Sequence, residues 1–131
     1  MKRQTDGWGR VLPWIAAVVI AGLITAGCGR NEKPPDPIPE DQIPAAVQKA
    51  FNTAQPQAKE LAEQTVVALQ AKDYAKAFAT IQQLTGMAGL NKEQNSVVTR
   101  ATLTINSLLQ TAETKGDTKA ADTLKTYRVN K

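Results

Sequence analysis

The stretch Asn91–Ala112, NKEQNSVVTRATLTINSLLQTA, decides the fold class. Its apolar residues Val98, Ala101, Ile105, Leu108 and Ala112 recur in a 3-4-3-4 rhythm, with Val97 and Leu109 flanking. That spacing puts one apolar stripe on one face of an α-helix, the seam by which helices pack into bundles. Asn91 with Gln94 three residues on has the spacing of a capping box, Asn standing in for Ser or Thr. A long amphipathic helix opening at Asn91 is therefore expected.

Toward the C-terminus, Gly116 and Asp117 form a stop and a new start. They predict a further helix that buries Ala120, Ala121, Leu124 and Tyr127. Toward the N-terminus, Asp73 is an N-cap for a helix burying Tyr74, Ala77, Phe78, Ile81 and Leu84. Gly86 is its stop, and Met87–Leu90 a loop. A longer helix is expected over 45–72. Its stripe runs through Val47, Phe51 and Ala54, then Ala58, Leu61, Ala62, Thr65, Val66 and Leu69. Pro56 falls inside it and removes an amide donor, so a kink or break is expected near 53–55.

No stretch alternates with the period of a strand. The prediction is all-α: a small bundle of about four helices in two helical hairpins, with a helical domain over 45–131. Leu61, Leu69, Phe78, Ile81, Leu84, Ile105, Leu108 and Leu124 are its expected core. The turns Lys72-Asp73-Tyr74 and Lys115-Gly116-Asp117 lie 43 or 44 residues apart. Through Asp73, Tyr74, Lys76, Ala77, Phe78, Ile81 and Leu84 the first hairpin resembles the central part of a tetratricopeptide-type hairpin. The period departs from that family's 34 residues, and its tryptophan and closing proline are missing. A generic four-helix arrangement accounts for the same pattern.

Residues 29–44 carry Pro34, Pro35, Pro37, Pro39 and Pro44. Proline fixes φ and donates no amide hydrogen bond, so residues 28–44 read as an extended tether. At roughly 3.1 Å per residue its reach is on the order of 45 Å. Pro34-Pro35-Asp36-Pro37 has the spacing of a ligand for SH3- and WW-type proline-binding grooves, and a plain spacer is the preferred reading.

Before the tether, residues 11–27 contain no charge and follow Lys2, Arg3 and Arg10. A basic start, an apolar core and a small-residue end define a secretory signal peptide over 1–27. Its end, Thr25-Ala26-Gly27-Cys28, resembles the lipobox of bacterial lipoproteins, an aliphatic residue and two small residues before an obligatory cysteine. Ala26, Gly27 and Cys28 fill the last three positions. Thr25 stands where Leu is usual, with the aliphatic Ile24 one residue early. The resemblance implies a diacylglycerol thioether on Cys28 and acylation (palmitate-type chains) of its freed amine. Two or three chains anchor stably where one does so only marginally. Gly29, where an Asp would retain such a protein in the inner membrane, implies outer-membrane delivery facing the periplasm in a Gram-negative cell. An uncleaved membrane-spanning helix and a lipid-free cut after Gly27 are the alternatives.

The 131-residue chain has no histidine and a single cysteine, Cys28. Imidazole general bases, Ser-His and Cys-His nucleophiles and His-ligated zinc therefore drop out. From Cys28 onward the net charge is +2 and the charges are interspersed, unlike a nucleic-acid footprint. No cofactor, metal site or catalytic residue is expected. Glu60 and Glu63, at i,i+3, are the one carboxylate pair on which an enzyme reading could rest; with Lys59 adjacent, a solvated helix face is the preferred explanation. Lys72, Lys76, Lys115 and Lys119 sit near the hairpin turns; they read as scattered solubilising lysines in preference to a basic end facing anionic lipid or cell-wall polymer. Tyr74, Phe78 and Tyr127 read as core in preference to a ligand cage. The expected function is a non-enzymatic, lipid-anchored envelope protein whose helical domain binds a protein partner or assists assembly.

Overall fold

The computed structural model describes residues 33–131, which form one compact unit. The expected signal segment and the lipidation site Cys28 lie outside the described residues. The unit is all-helical: α1 (Ile43–Phe51), α2 (Pro56–Gln70), α3 (Tyr74–Thr85), α4 (Lys92–Thr114) and α5 (Thr118–Val129), with a single 3-10 turn over Glu40–Gln42. Among the described residues there is no strand, and no helix is long and apolar enough to cross a membrane.

The predicted first helix is two helices. Gln55 precedes a proline and takes the extended conformation that proline imposes on its predecessor (φ −56°, ψ 147°). Pro56 then occupies the first position of α2, where its missing N–H costs nothing. The bundle thus has five helices in place of four, with the expected hairpins as α2–α3 and α4–α5.

Both hairpin turns are built alike. The N–H of Asp73 reaches the carbonyl of Ala68 (2.9 Å) and that of Lys72 reaches Leu69 (3.0 Å). The N–H of Asp117 reaches Ala112 (3.0 Å) and that of Gly116 reaches Glu113 (3.0 Å). These are paired Schellman caps. Each aspartate then caps the next helix, accepting from the N–H of Lys76 or Ala120 at 3.1 Å. The left-handed position is Gly116 (φ 91°) in one turn and Lys72 (φ 58°) in the other.

Helices α1, α2, α3 and α4 pack as a closed ring in that order, α4 returning to α1, and α5 lies against α4 and α3. Small residues line much of the interior: Ala58, Ala62, Ala68, Ala77, Ala101 and Ala120 are all buried. Phe51 from α1 and Phe78 from α3 supply the bulk, with Ile43, Ile81, Leu84, Ile105 and Leu109. Two expectations shift by one residue. On α4 it is Leu109 that is fully buried while Leu108 is half-buried, and on α2 it is Ala62 while Leu61 is half-buried. A 3.6-residue turn brings positions i+3 and i+4 equally near a seam, and the facing helix decides which turns in.

Polar groups in the core are all paired. Thr65 and Thr80 join their hydroxyls across α2 and α3 at 2.8 Å. Gln94 donates Nε2 to the carbonyl of Ala50 (3.1 Å) at the end of α1, and its Oε1 accepts from the N–H of Asn91 (3.0 Å). The capping box predicted at Asn91 is complete, and its glutamine also satisfies a C-terminal carbonyl of another helix.

Candidate functional site

The most developed polar cluster forms where the proline-rich segment meets the bundle. Sequence reasoning expects residues 30–43 to be extended and free of the domain; from Asp36 onward they are docked on it. Ile38 is 4% exposed and belongs to the core. Arg100 Nε donates to the carbonyl of Asp36 (2.7 Å), and the Thr104 hydroxyl, one turn on along α4, donates to the carbonyl of Ile38. Pro39 then opens the 3-10 turn, its carbonyl accepting from the N–H groups of Gln42 and Ile43. The domain therefore begins before the predicted boundary at residue 45. The signal in the sequence was Ile38 itself, an aliphatic residue among prolines and acids.

Glu40 ties this segment to the α2–α3 turn. Its Oε1 accepts from Lys72 Nζ (2.8 Å) and from the Tyr74 hydroxyl (3.0 Å). The Lys72 ammonium holds the Glu40 carboxyl below its ordinary pKa, with Tyr74 assisting against a desolvation effect of opposite sign. Lys72 is raised by the same hydrogen bond. Tyr74 is raised, first by partial burial and then by its bond to Glu40. Next to it, Asp73 is lowered by the Lys76 backbone N–H and then by Lys119, whose Nζ lies 3.0 Å from Oδ2. Lys72 and Lys119 are thus paired with acids across the fold, and all four lysines near the hairpin turns are exposed.

The docking of Asp36–Pro39 is close to balanced. Burying the Ile38 side chain contributes about 2–3 kcal/mol, and the two bonds to backbone carbonyls about 1 kcal/mol each. The exposed Glu40–Lys72 pair adds little. Against this, ordering four residues costs about 1–2 kcal/mol each, with Pro37 and Pro39 at the low end because their φ is already restricted.

The aromatic residues form a second feature. Phe78 and Tyr127 meet edge to face, ring centroids 5.1 Å apart. Phe78 is buried, whereas Tyr74 and Tyr127 are half-buried, so the expected three-residue core stripe is buried at its middle alone. Lys131 Nζ sits 5.5 Å from the Tyr127 ring. Phe78, Ala79 and Tyr127 floor an open groove of about 420 Å³ between α3 and α5, that is, between the two hairpins, with Gln82, Asp122 and Thr126 at its rim.

Glu60 and Glu63 are both exposed on α2. Glu60 accepts from Gln64 Nε2 (3.2 Å). Glu63 stands with Lys59 at the edge of a smaller groove of about 290 Å³ floored by Val47, Phe51 and Ala62. Its floor is apolar and offers one carboxylate, so the structure does not gather the pair into one cleft. Among the described residues no group of three acidic, cysteine or histidine side chains is placed to hold a metal ion.

Comparison of the chain with protein-family models, with curated proteins and with solved structures finds no match in any of the three.

Proposed function

We propose that this chain is a bacterial envelope lipoprotein, anchored through Cys28, whose helical domain acts by contact with a protein partner and not by turnover. The observation that carries the reading is the stretch Ile24–Cys28. An uncharged apolar run ends in two small residues and the chain's single cysteine, and a proline-rich segment follows. The groove between the two hairpins supports the second half of the reading. Its floor of Phe78, Ala79 and Tyr127 is apolar, its rim is uncharged apart from Asp122, and it is open along its length as a seat for an amphipathic helix requires.

Two measurements test it. Mass spectrometry of the mature N-terminus is expected to find a peptide beginning at lipid-modified Cys28; an unmodified Cys28 peptide or an intact Met1 end refutes the anchor. Crosslinking and pull-down from the native envelope are expected to recover a protein partner, less of it from a Cys28→Ser form and less again from Tyr127→Ala. A hydrolytic activity abolished by Glu60→Gln or Glu63→Gln, with no partner recovered, overturns the contact reading in favour of an enzyme.

A further inference from the structure

We propose that Asp36–Gln42 is a releasable clasp, so that the segment joining the domain to its anchor has two lengths. The role given to the clasp rests on the anchored reading above; the clasp itself is a property of the domain and is tested separately. Four observations carry it. The segment is held by one apolar side chain, Ile38. Its other ties are the Arg100 bond to the Asp36 carbonyl and the Lys72–Glu40 pair, both at the exposed surface, and the part-buried bonds from Thr104 to the Ile38 carbonyl and from Tyr74 to Glu40. Residues 33–39 have no regular structure to lose. For Asp36–Pro39 the gain from docking nearly cancels the cost of ordering, and the rest of the clasp is one 3-10 turn, the condition for a sub-global opening distinct from unfolding of the bundle. Seven residues, Gly29–Pro35, separate Cys28 from the closed clasp in the sequence, a span of roughly 20 Å at the polyproline rise; opening adds the seven residues Asp36–Gln42 and about the same again. Opening also uncovers the face of α4 around Arg100 and Thr104, leaving α2–α5 in place.

The Glu40–Asp41 bond lies inside the clasp, and a glutamate-specific protease reads its opening directly. Glu93, in the first turn of α4, and Glu60 and Glu63, inside α2, report on the bundle. The experiment uses the full chain, as the native lipoprotein in detergent and as Cys28→Ser, over a series of urea concentrations. Cleavage at Glu40 is expected at low urea with a shallow dependence, and cleavage within α2 only near the unfolding transition with a steep one. Ile38→Ser is expected to speed the Glu40 cut by roughly tenfold or more, the weight of a buried isoleucine, and to leave the α2 cuts little changed. Arg100→Ala, which removes the bond from a half-buried side chain to the Asp36 carbonyl, is expected to speed it severalfold and to leave the α2 cuts little changed. A single steep urea dependence shared by Glu40 and α2, with both variants accelerating all cuts alike, overturns the clasp and makes Asp36–Gln42 an inseparable part of the bundle. Because the Cys28→Ser chain gives the same readout without lipid, failure of the clasp and failure of the anchor are told apart.

Discussion

Gln94 shows at the scale of one residue how a local signal can hide a long-range one. Its place three residues after Asn91 marks it as a capping partner, and that much is legible in the sequence. That its amide also reaches the carbonyl of Ala50, 44 positions earlier, is not, because nothing local to either residue encodes the crossing of α1 and α4. Gln94→Ala removes a buried hydrogen bond, leaves a helix-end carbonyl unpaired and empties a core position. A loss of about 2–3 kcal/mol in urea unfolding is expected, and a loss under about 0.5 kcal/mol, the size of an ordinary surface change, contradicts the role. The two left-handed turn positions give a matched test. A Cβ at Gly116 meets nothing within 4 Å, so Gly116→Ala pays for its backbone conformation alone, about 1 kcal/mol. The opposite change, Lys72→Gly, relieves the same strain and gives up an exposed ion pair, so its midpoint is expected to rise or stay level. A clear drop would mean that Glu40 holds the turn more firmly than its exposure suggests.

At the scale of elements, the helices were readable wherever a cap and a stripe coincided. Asp73, Asn91 and Asp117 each cap the helix expected of them, and Pro56 breaks the first helix where its chemistry requires. The register within a seam was less readable. Ala62 is buried where Leu61 is half-buried, because the pattern gives both residues a place near the stripe and only packing against the neighbouring helices selects between them. The docking of Asp36–Gln42 was signalled by Ile38 alone, since prolines exclude helix and sheet without excluding packing. Its ionic tie has a pH signature. Glu40 and Asp73 both have folded pKa values below their unfolded ones, so their contributions are complete above the ordinary carboxyl range of about 3.9–4.3. They are lost as pH falls through the lowered folded values. Stability is therefore expected to be level from neutral pH to about 5 and to fall below about 4. Glu40→Gln with Asp73→Asn should flatten that fall; an unchanged acid limb would mean that other carboxylates govern it.

Over the whole molecule, the closed ring of α1–α4 contrasts with α5, which adds only Ala120 and Leu124 to the fully buried set. Hydrogen exchange is accordingly expected to be slowest in α2–α4 and distinctly faster in α5, since a flanking helix can open without the ring. Equal protection of α5 and α4 would show a single cooperative unit. The two parts of the proposed function differ in how local their encoding is. An attachment sequence is a run of neighbouring residues, whereas a contact groove is assembled from Phe78 and Tyr127, side chains 49 positions apart that only folding brings together. The docked segment at Asp36 also carries a consequence for neighbours in a membrane. Were the chain anchored at Cys28 as proposed, the effective concentration the domain presents to another membrane protein would be set by the seven residues between the anchor and the closed clasp. Doubling the free length lowers that concentration by roughly threefold. Opening the clasp thus exchanges frequent encounters with near neighbours for rarer ones with more distant partners, with no change in the affinity of the groove itself.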